Sequence, residues 1–114
     1  YPWLPEADPA QHCNMVDTGI GSTSAVGLFL TGQAVCGAAD LAGNVWEWCS
    51  TDWLEDYTDY EQKVSDALAG AAGRVLRGGS FAVSRYYVRC AYRSWNSPDE
   101  RNFNVGFRVL SPGP

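Results

Sequence analysis

Hydrophobic and polar positions alternate in short runs along this chain and seldom keep one period for long. Residues 1–35 are rich in Pro, Gly, Ser and Thr and read as turn-rich, irregular chain, with one short strand expected near Val26–Leu30. Ala39–Leu41 fits a helical turn stopped by Gly43. Val45–Cys49 alternates bulky residues as a strand does, so Trp46 and Trp48 share a face and are expected to enter the core together. Residues 54–73 change character. Thr58 or Asp59 can cap a helix running to about Leu68, with Gly70 or Gly73 to end it. Its apolar stripe, Val64 and Leu68, is thin, which predicts a peripheral helical or mobile insertion. RVLRGG at 74–79 predicts a strand ending in a glycine turn. Residues 86–93 read as extended and 103–110 as a final strand, followed by an unstructured tail at Pro112–Pro114. No internal repeat or low-complexity segment appears.

Composition sharpens this picture. The chain has 114 residues, enough for one domain. Its fifteen aromatic residues supply much of the surface available for burial. The formal net charge of −5 argues against nucleic acid as a partner, because phosphate neutralisation needs a surplus of Lys and Arg. The charges are unevenly placed. Carboxylates cluster before Gly70, whereas Arg74, Arg77, Arg85, Arg89, Arg93, Arg101 and Arg108 follow it. Such arginines can face an anionic ligand or be pinned by carboxylates of the same domain. No window reaches the roughly 20 apolar residues of a membrane span. No signal peptide is visible, and the opening Tyr1-Pro2-Trp3 without a methionine fits a fragment or a processed product. Cys13, Cys36, Cys49 and Cys90 form no CxxC pair, and disulfides and buried free thiols both remain open. His12 is the only histidine, so a triad would depend on it. A dyad with Cys13 is disfavoured because adjacent side chains rarely point the same way.

Four motifs stand in a fixed order: YPW at 1–3 with CN at 13–14 and AVG at 25–27, DLAGNVWEW at 40–48, RVLRGGSF at 74–81 and NVGFRV at 104–109. RCAYR at 89–93 and SPDER at 97–101 lie between the last two. This order resembles the formylglycine-generating enzyme family, also called the sulfatase-modifying-factor family. The resemblance implies an α+β, C-type-lectin-like fold with short twisted strands and long irregular loops. It makes residues 1–114 a single domain corresponding to the C-terminal half of a longer one.

The resemblance also implies sites. A family calcium site falls on Asp40, Gly43, Val45 and Glu47, and a second on Asn14, Met15, Asp17 (or Thr18) and Ile20. Calcium takes six to eight hard oxygens, and a glycine between two carboxylates lets backbone carbonyls turn inward. The competing reading pairs Asp40 and Glu47 with Arg77 or Arg108. Family enzymes oxidise a substrate cysteine with a copper-binding cysteine pair placed after the GGS turn. In this chain Val83 stands near the first cysteine position, and a shorter loop replaces the second. Cys90 falls further along, where a packing residue is expected. Copper(I) needs two soft thiolates for a defined linear site, so no copper is expected. The iron-dependent sulfoxide synthases that share this domain use histidines of a separate domain, which this chain lacks.

The segment after the glycine turn resembles the variable region of diversity-generating-retroelement proteins, which use this fold to display a varied binding surface. Adenine-directed mutagenesis turns Asn codons into Tyr, Ser, Phe, Asp and Ala, a menu that several positions fit and that Trp95 and Glu100 do not. The candidate binding residues are Phe81, Val83, Ser84, Arg85, Tyr86, Tyr87, Tyr92, Ser94, Trp95, Asn96, Ser97, Asn102 and Phe103. Tyr and Trp give contact area at low entropic cost, and Ser and Asn adapt their hydrogen bonds. Tyr92 and Trp95 are expected to be half-buried and Tyr86 or Tyr87 exposed. The reading is a non-catalytic ligand-binding domain for a protein or other macromolecule, with a family oxidoreductase or accessory domain as the alternative. No sugar-binding EPN or QPD signature is present. Extracellular or surface display would follow for a variable binding protein.

Overall fold

The computed structural model describes residues 1–3, 7–67 and 70–111. A four-stranded sheet organises them. Strand β1 is Trp46–Asp52, β2 is Arg74–Arg77, β3 is Ser94–Asn96 and β4 is Val105–Gly106. Their order is β3-β2-β1-β4. β2 runs antiparallel to both β1 and β3, and β4 runs parallel to β1. Trp48 pairs with Leu76 and Val75 with Trp95, and the β1–β2 register slips between Trp48 and Asp52. Among the described residues, one short helix, α1 (Tyr60–Lys63), and 3-10 turns at Pro9–Gln11, Val16–Thr18 and Leu30–Gly32 complete the regular structure. Among the described residues no helix is long and apolar enough to cross a membrane.

The core is small and lies where loops meet the sheet. Cys13, Met15, Ala42 and Val88 form one buried cluster, with Tyr1, Trp3, Ala10 and Val83 packed against it. Trp46, Val75, Leu76 and Phe81 are buried as well. The alternation within β1 sends Trp46 inward, but Trp48 is only half-buried and lines a groove of about 380 Å³ with Asn102, Val105 and Phe107. The expectation that both rings share the core is therefore corrected for Trp48.

Other local expectations change for identifiable reasons. The strand foreseen at Val26–Leu30 is a turn, Leu28 N–H to Ala25 C=O at 3.2 Å, that leads into the 3-10 turn at Leu30–Gly32. The helical turn at Ala39–Leu41 cannot form because Asp40 is left-handed, with φ 53°. The helix expected from residue 58 or 59 shrinks to α1, since Val64 is already extended at φ −64°, ψ 138°. Two tertiary bonds outcompete it: Asp52 N–H to Ser65 C=O at 2.8 Å, and Arg74 to Ala67 C=O at 2.5 Å. The far end of that helix at Leu68, and the tail at 112–114, lie outside the described residues. Residues 86–93 are not extended but fold into consecutive turns, closed by Tyr87 N–H to Ser84 C=O and Tyr92 N–H to Arg89 C=O, both 3.0 Å. The final strand expected at 103–110 pairs only at Val105–Gly106.

Candidate functional site

The loop before β1 is where the separated motifs of the sequence meet. Gly43 donates its N–H to Gly78 C=O at 2.8 Å, and Asn44 donates to Asn14 C=O at 2.8 Å. Asn44 C=O accepts from Phe81 N–H at 2.9 Å, and Trp46 N–H donates to Asn104 C=O at 2.8 Å. Asn44 is left-handed, φ 64°, a conformation that Asn tolerates better than most residues. Its side chain bridges to Ser24, accepting from the backbone N–H at 2.9 Å and donating to the carbonyl at 3.3 Å. Four stretches of chain are thus tied at one point by backbone bonds.

The first calcium set does converge. Asp40, Gly43, Val45 and Glu47 line one groove of about 220 Å³, together with Val26, Asn44, Phe107 and Arg108. A cation already stands there. Arg108 donates to both carboxylate oxygens of Glu47, one of them at 2.6 Å, and to the carbonyls of Ala39 at 3.0 Å and Asp40 at 2.6 Å. This fork geometry pushes the Arg108 pKa up through its hydrogen bonds to Glu47. The Asp40 carboxylate accepts from Gly27 N–H at 2.7 Å. The second set spends its oxygens on the protein itself. Asn14 Oδ1 accepts from the Thr18 hydroxyl at 3.2 Å, and Met15 C=O from the same hydroxyl at 2.7 Å. Asp17 faces Arg85 at 3.5 Å, and Ile20 is exposed. Among the described residues no three His, Cys, Asp or Glu side chains gather, so a metal at either set would depend on backbone carbonyls.

The candidate binding segment divides into inward and outward residues. Phe81 is 8% exposed and Val83 packs on the core cluster, so these two side chains support the surface rather than form it. Arg85, Tyr86 and Tyr87 are exposed, and Ser84 and Tyr92 are half-buried. Tyr86, Tyr87 and Tyr92 pack edge to face around one another, with centroids 4.9–5.5 Å apart. Burial, then the neighbouring Tyr87 and Tyr86, raise the Tyr92 phenol pKa. Tyr92 rests on the buried Trp46 at 5.9 Å, and the Arg89 guanidinium lies 4.0 Å above the Tyr86 ring. Arg77 fastens the base of this turn by donating to the carbonyls of Cys90 and Tyr92 at 3.0 and 3.1 Å. The aromatic group is therefore a continuous column from core to solvent.

Other candidates stand apart from that column. Ser94 and Asn96 are half-buried in β3, as is Ser97 just beyond it. Trp95 is 53% exposed, more than expected. Its ring crosses Gly73, where any Cβ would come within 2.8 Å of it, and stacks on Trp53 at 6.4 Å. Asn102 and Phe103 are exposed, and Phe103 leans on Phe81 at 5.9 Å. The sequence reading missed Trp53, which lies outside the segment although it closes the DLAGNVWEWCSTDW run.

The cysteines are all free thiols. Burial pushes the Cys13 pKa up to about 12 and raises that of Cys49. Cys90 was expected in a core position. It is exposed instead, because Val88 takes the inward place in that turn.

A mixed sheet with few helices, long loops fastened by backbone bonds, and the motifs of the sequence brought to one crossing define a C-type-lectin-like domain of the formylglycine-generating type. Residues 1–112 match the sulfatase-modifying factor enzyme 1-like domain, and the chain belongs to that family. It is 33% identical over 116 residues to a hercynine oxygenase of Mycolicibacterium thermoresistibile, covering 96% of this chain and 26% of the relative. It is 39% identical over 105 residues to the formylglycine-generating enzyme of Streptomyces coelicolor, covering 88% of this chain and 32% of that enzyme. Among solved structures it resembles Treponema denticola variable protein 1, with TM-score 0.70 and 32% identity, over 90% of this chain and 36% of that one. The chain thus spans about a quarter to a third of the length of these curated relatives.

Proposed function

We propose that this domain binds a protein or other macromolecular ligand through the aromatic column of Tyr86, Tyr87 and Tyr92, flanked by Arg85 and Arg89, and that it does so without catalysis. The observation that carries this reading is the exposure of Tyr86 and Tyr87, packed on the half-buried Tyr92, on a base fixed by Trp46 and Arg77. Rigid, exposed Tyr next to Arg is the composition of binding hot spots. The likeness to a variable protein supports the same use of the fold, with variation falling at exposed positions such as Tyr86, Tyr87 and Asn102. The fold itself does not decide function.

The relationship to hercynine oxygenases and formylglycine-generating enzymes favours a second reading, in which this chain forms part of an oxidoreductase. The segment after the glycine turn carries one cysteine, Cys90, and Val83 where the family's first copper-binding cysteine is expected. Incubation with copper(I) and a cysteine-containing peptide in an oxygen electrode tests the copper-dependent form of this second reading. No copper-dependent oxygen uptake above the peptide-only control is expected. Uptake at a turnover typical of enzymes would establish the oxidoreductase instead.

Calcium belongs to this proposal as a structural ion at Asp40, Gly43, Val45 and Glu47, held in exchange for Arg108. The shared groove supports it, and the cation already in that groove sets its condition. Arg108→Gln is expected to tighten calcium binding at least about tenfold by freeing both Glu47 oxygens. Calorimetric titration of EGTA-treated protein measures this, and equal or weaker binding by the variant would remove calcium from the site.

A further inference from the structure

A second aromatic surface lies apart from the tyrosine column just assigned and carries the opposite charge. It is built where β1 runs into α1. Trp53 stacks with Trp95 at 6.4 Å, and Tyr57 lies 5.2 Å from Tyr60 at an angle of 56°. Tyr57 is 59% exposed. Tyr57 and Tyr60 wall a groove of about 430 Å³ whose remaining lining is Asp59, Glu61 and Gln62.

The chemistry of this surface selects a cation. Residues 54–67 hold five carboxylates (Glu55, Asp56, Asp59, Glu61 and Asp66) against one lysine, Lys63. Lys63 donates to Thr58 C=O at 3.1 Å and pairs with one carboxylate, Asp59, at 3.6 Å through an exposed i,i+4 contact of small worth. The surface already holds one cation of its own. The Arg93 guanidinium lies 4.2 Å from the Trp53 ring centre and 4.4 Å from that of Tyr57, and donates to Glu55 C=O at 3.1 Å. Ring faces attract guanidinium and ammonium groups through their quadrupoles, and nearby carboxylates add to that attraction. Glu61 completes no ion pair among the described residues, although it lines the groove beside the Tyr57–Tyr60 rings.

We propose that this face docks a basic, arginine- or lysine-bearing segment of a partner protein, whose cation is received at the Tyr57–Tyr60 groove beside Glu61. It extends the arrangement that Arg93 already makes with Trp53 and Tyr57. A neutral glycan, which would stack on Trp95 without needing the carboxylates, is the competing occupant.

Hexa-arginine is the probe, titrated into the full chain by calorimetry and Trp fluorescence at low and high salt. It is expected to bind at low salt and to weaken as salt rises. Tyr60→Ala with Glu61→Gln should weaken it at least about tenfold. Glu100→Gln, which removes one charge elsewhere on the surface, should change it less than about twofold. Melting curves of each variant establish that the chain stays folded, and Glu61→Gln alone, a surface change, should still show part of the loss. Absence of binding, equal weakening by Glu100→Gln, or preference for cellohexaose over hexa-arginine would overturn the proposal.

Discussion

Gly43→Ala is expected to cost about 3 kcal/mol of stability or more. Two causes add. Gly43 sits at φ +74°, where a side chain is strained. A Cβ there would also lie 2.3 Å from the carbonyl oxygen of Asn14. That oxygen belongs to backbone and cannot step aside, because it accepts from Asn44 N–H at 2.8 Å. Relief would separate residues 13–15 from the loop before β1 and open the cluster of Cys13, Met15, Ala42 and Val88. Gly21→Ala is the control. Gly21 has nearly the same φ, +72°, but nothing lies within 4 Å of its Cβ position. It should lose only the strain, about 1 kcal/mol. Urea midpoints followed by Trp fluorescence compare the two, and similar midpoints would mean that the close crossing does not hold the fold.

This crossing shows how much of the fold was legible in the sequence. The motifs that make it, CN, GNVWEW, RGGSF and NVG, are short and unperiodic, and their order alone pointed to the fold class. β1 and β2 were readable because Trp46–Cys49 and Arg74–Arg77 alternate or run apolar. The glycine turn after β2 was readable because Gly78 and Gly79 are adjacent. Asp40 and Asn44 were not readable as left-handed residues, since their conformations follow from tertiary bonds to Gly27, Ser24 and Asn14. The helix expected over 58–68 failed for a related reason. Its local propensity was outcompeted by Arg74, whose buried guanidinium bonds Ser50 C=O at 2.6 Å and Ala67 C=O at 2.5 Å and faces Asp52 at 2.5 Å. Nothing in residues 58–68 announces that partner.

The candidate sites were legible to different depths. Arg108 was foreseen as one rival to calcium for Glu47, and the groove places it there, but charge alone could not choose between Arg77 and Arg108. Arg77 is spent on the carbonyls of Cys90 and Tyr92. In the segment after the glycine turn, composition pointed to a surface, yet composition cannot say which way a side chain turns. Phe81 and Val83 turn inward because Phe81 N–H is tied to Asn44 and Val83 C=O accepts from Val16 N–H at 3.0 Å. Trp95 stays out because Gly73 beneath it offers a flat seat rather than a pocket.

The remaining large effect concerns binding. Tyr86 and Tyr87 lie at the solvent end of the column, 55% and 37% exposed, and pack on Tyr92 rather than on the buried cluster. Their joint truncation should therefore spare stability and remove affinity. Hot-spot aromatics are worth about 2 kcal/mol or more each, which is roughly thirtyfold in Kd. The most direct measurement selects peptides from a displayed random library against the wild-type chain. It then compares the Kd of the best binder for wild type, Tyr86→Ala with Tyr87→Ala, and Asn102→Ala. At least about a thirtyfold loss is expected for the tyrosine pair, with an unchanged melting temperature. Unchanged Kd in the tyrosine pair, or a library that yields no binder, would contradict a binding role for this surface.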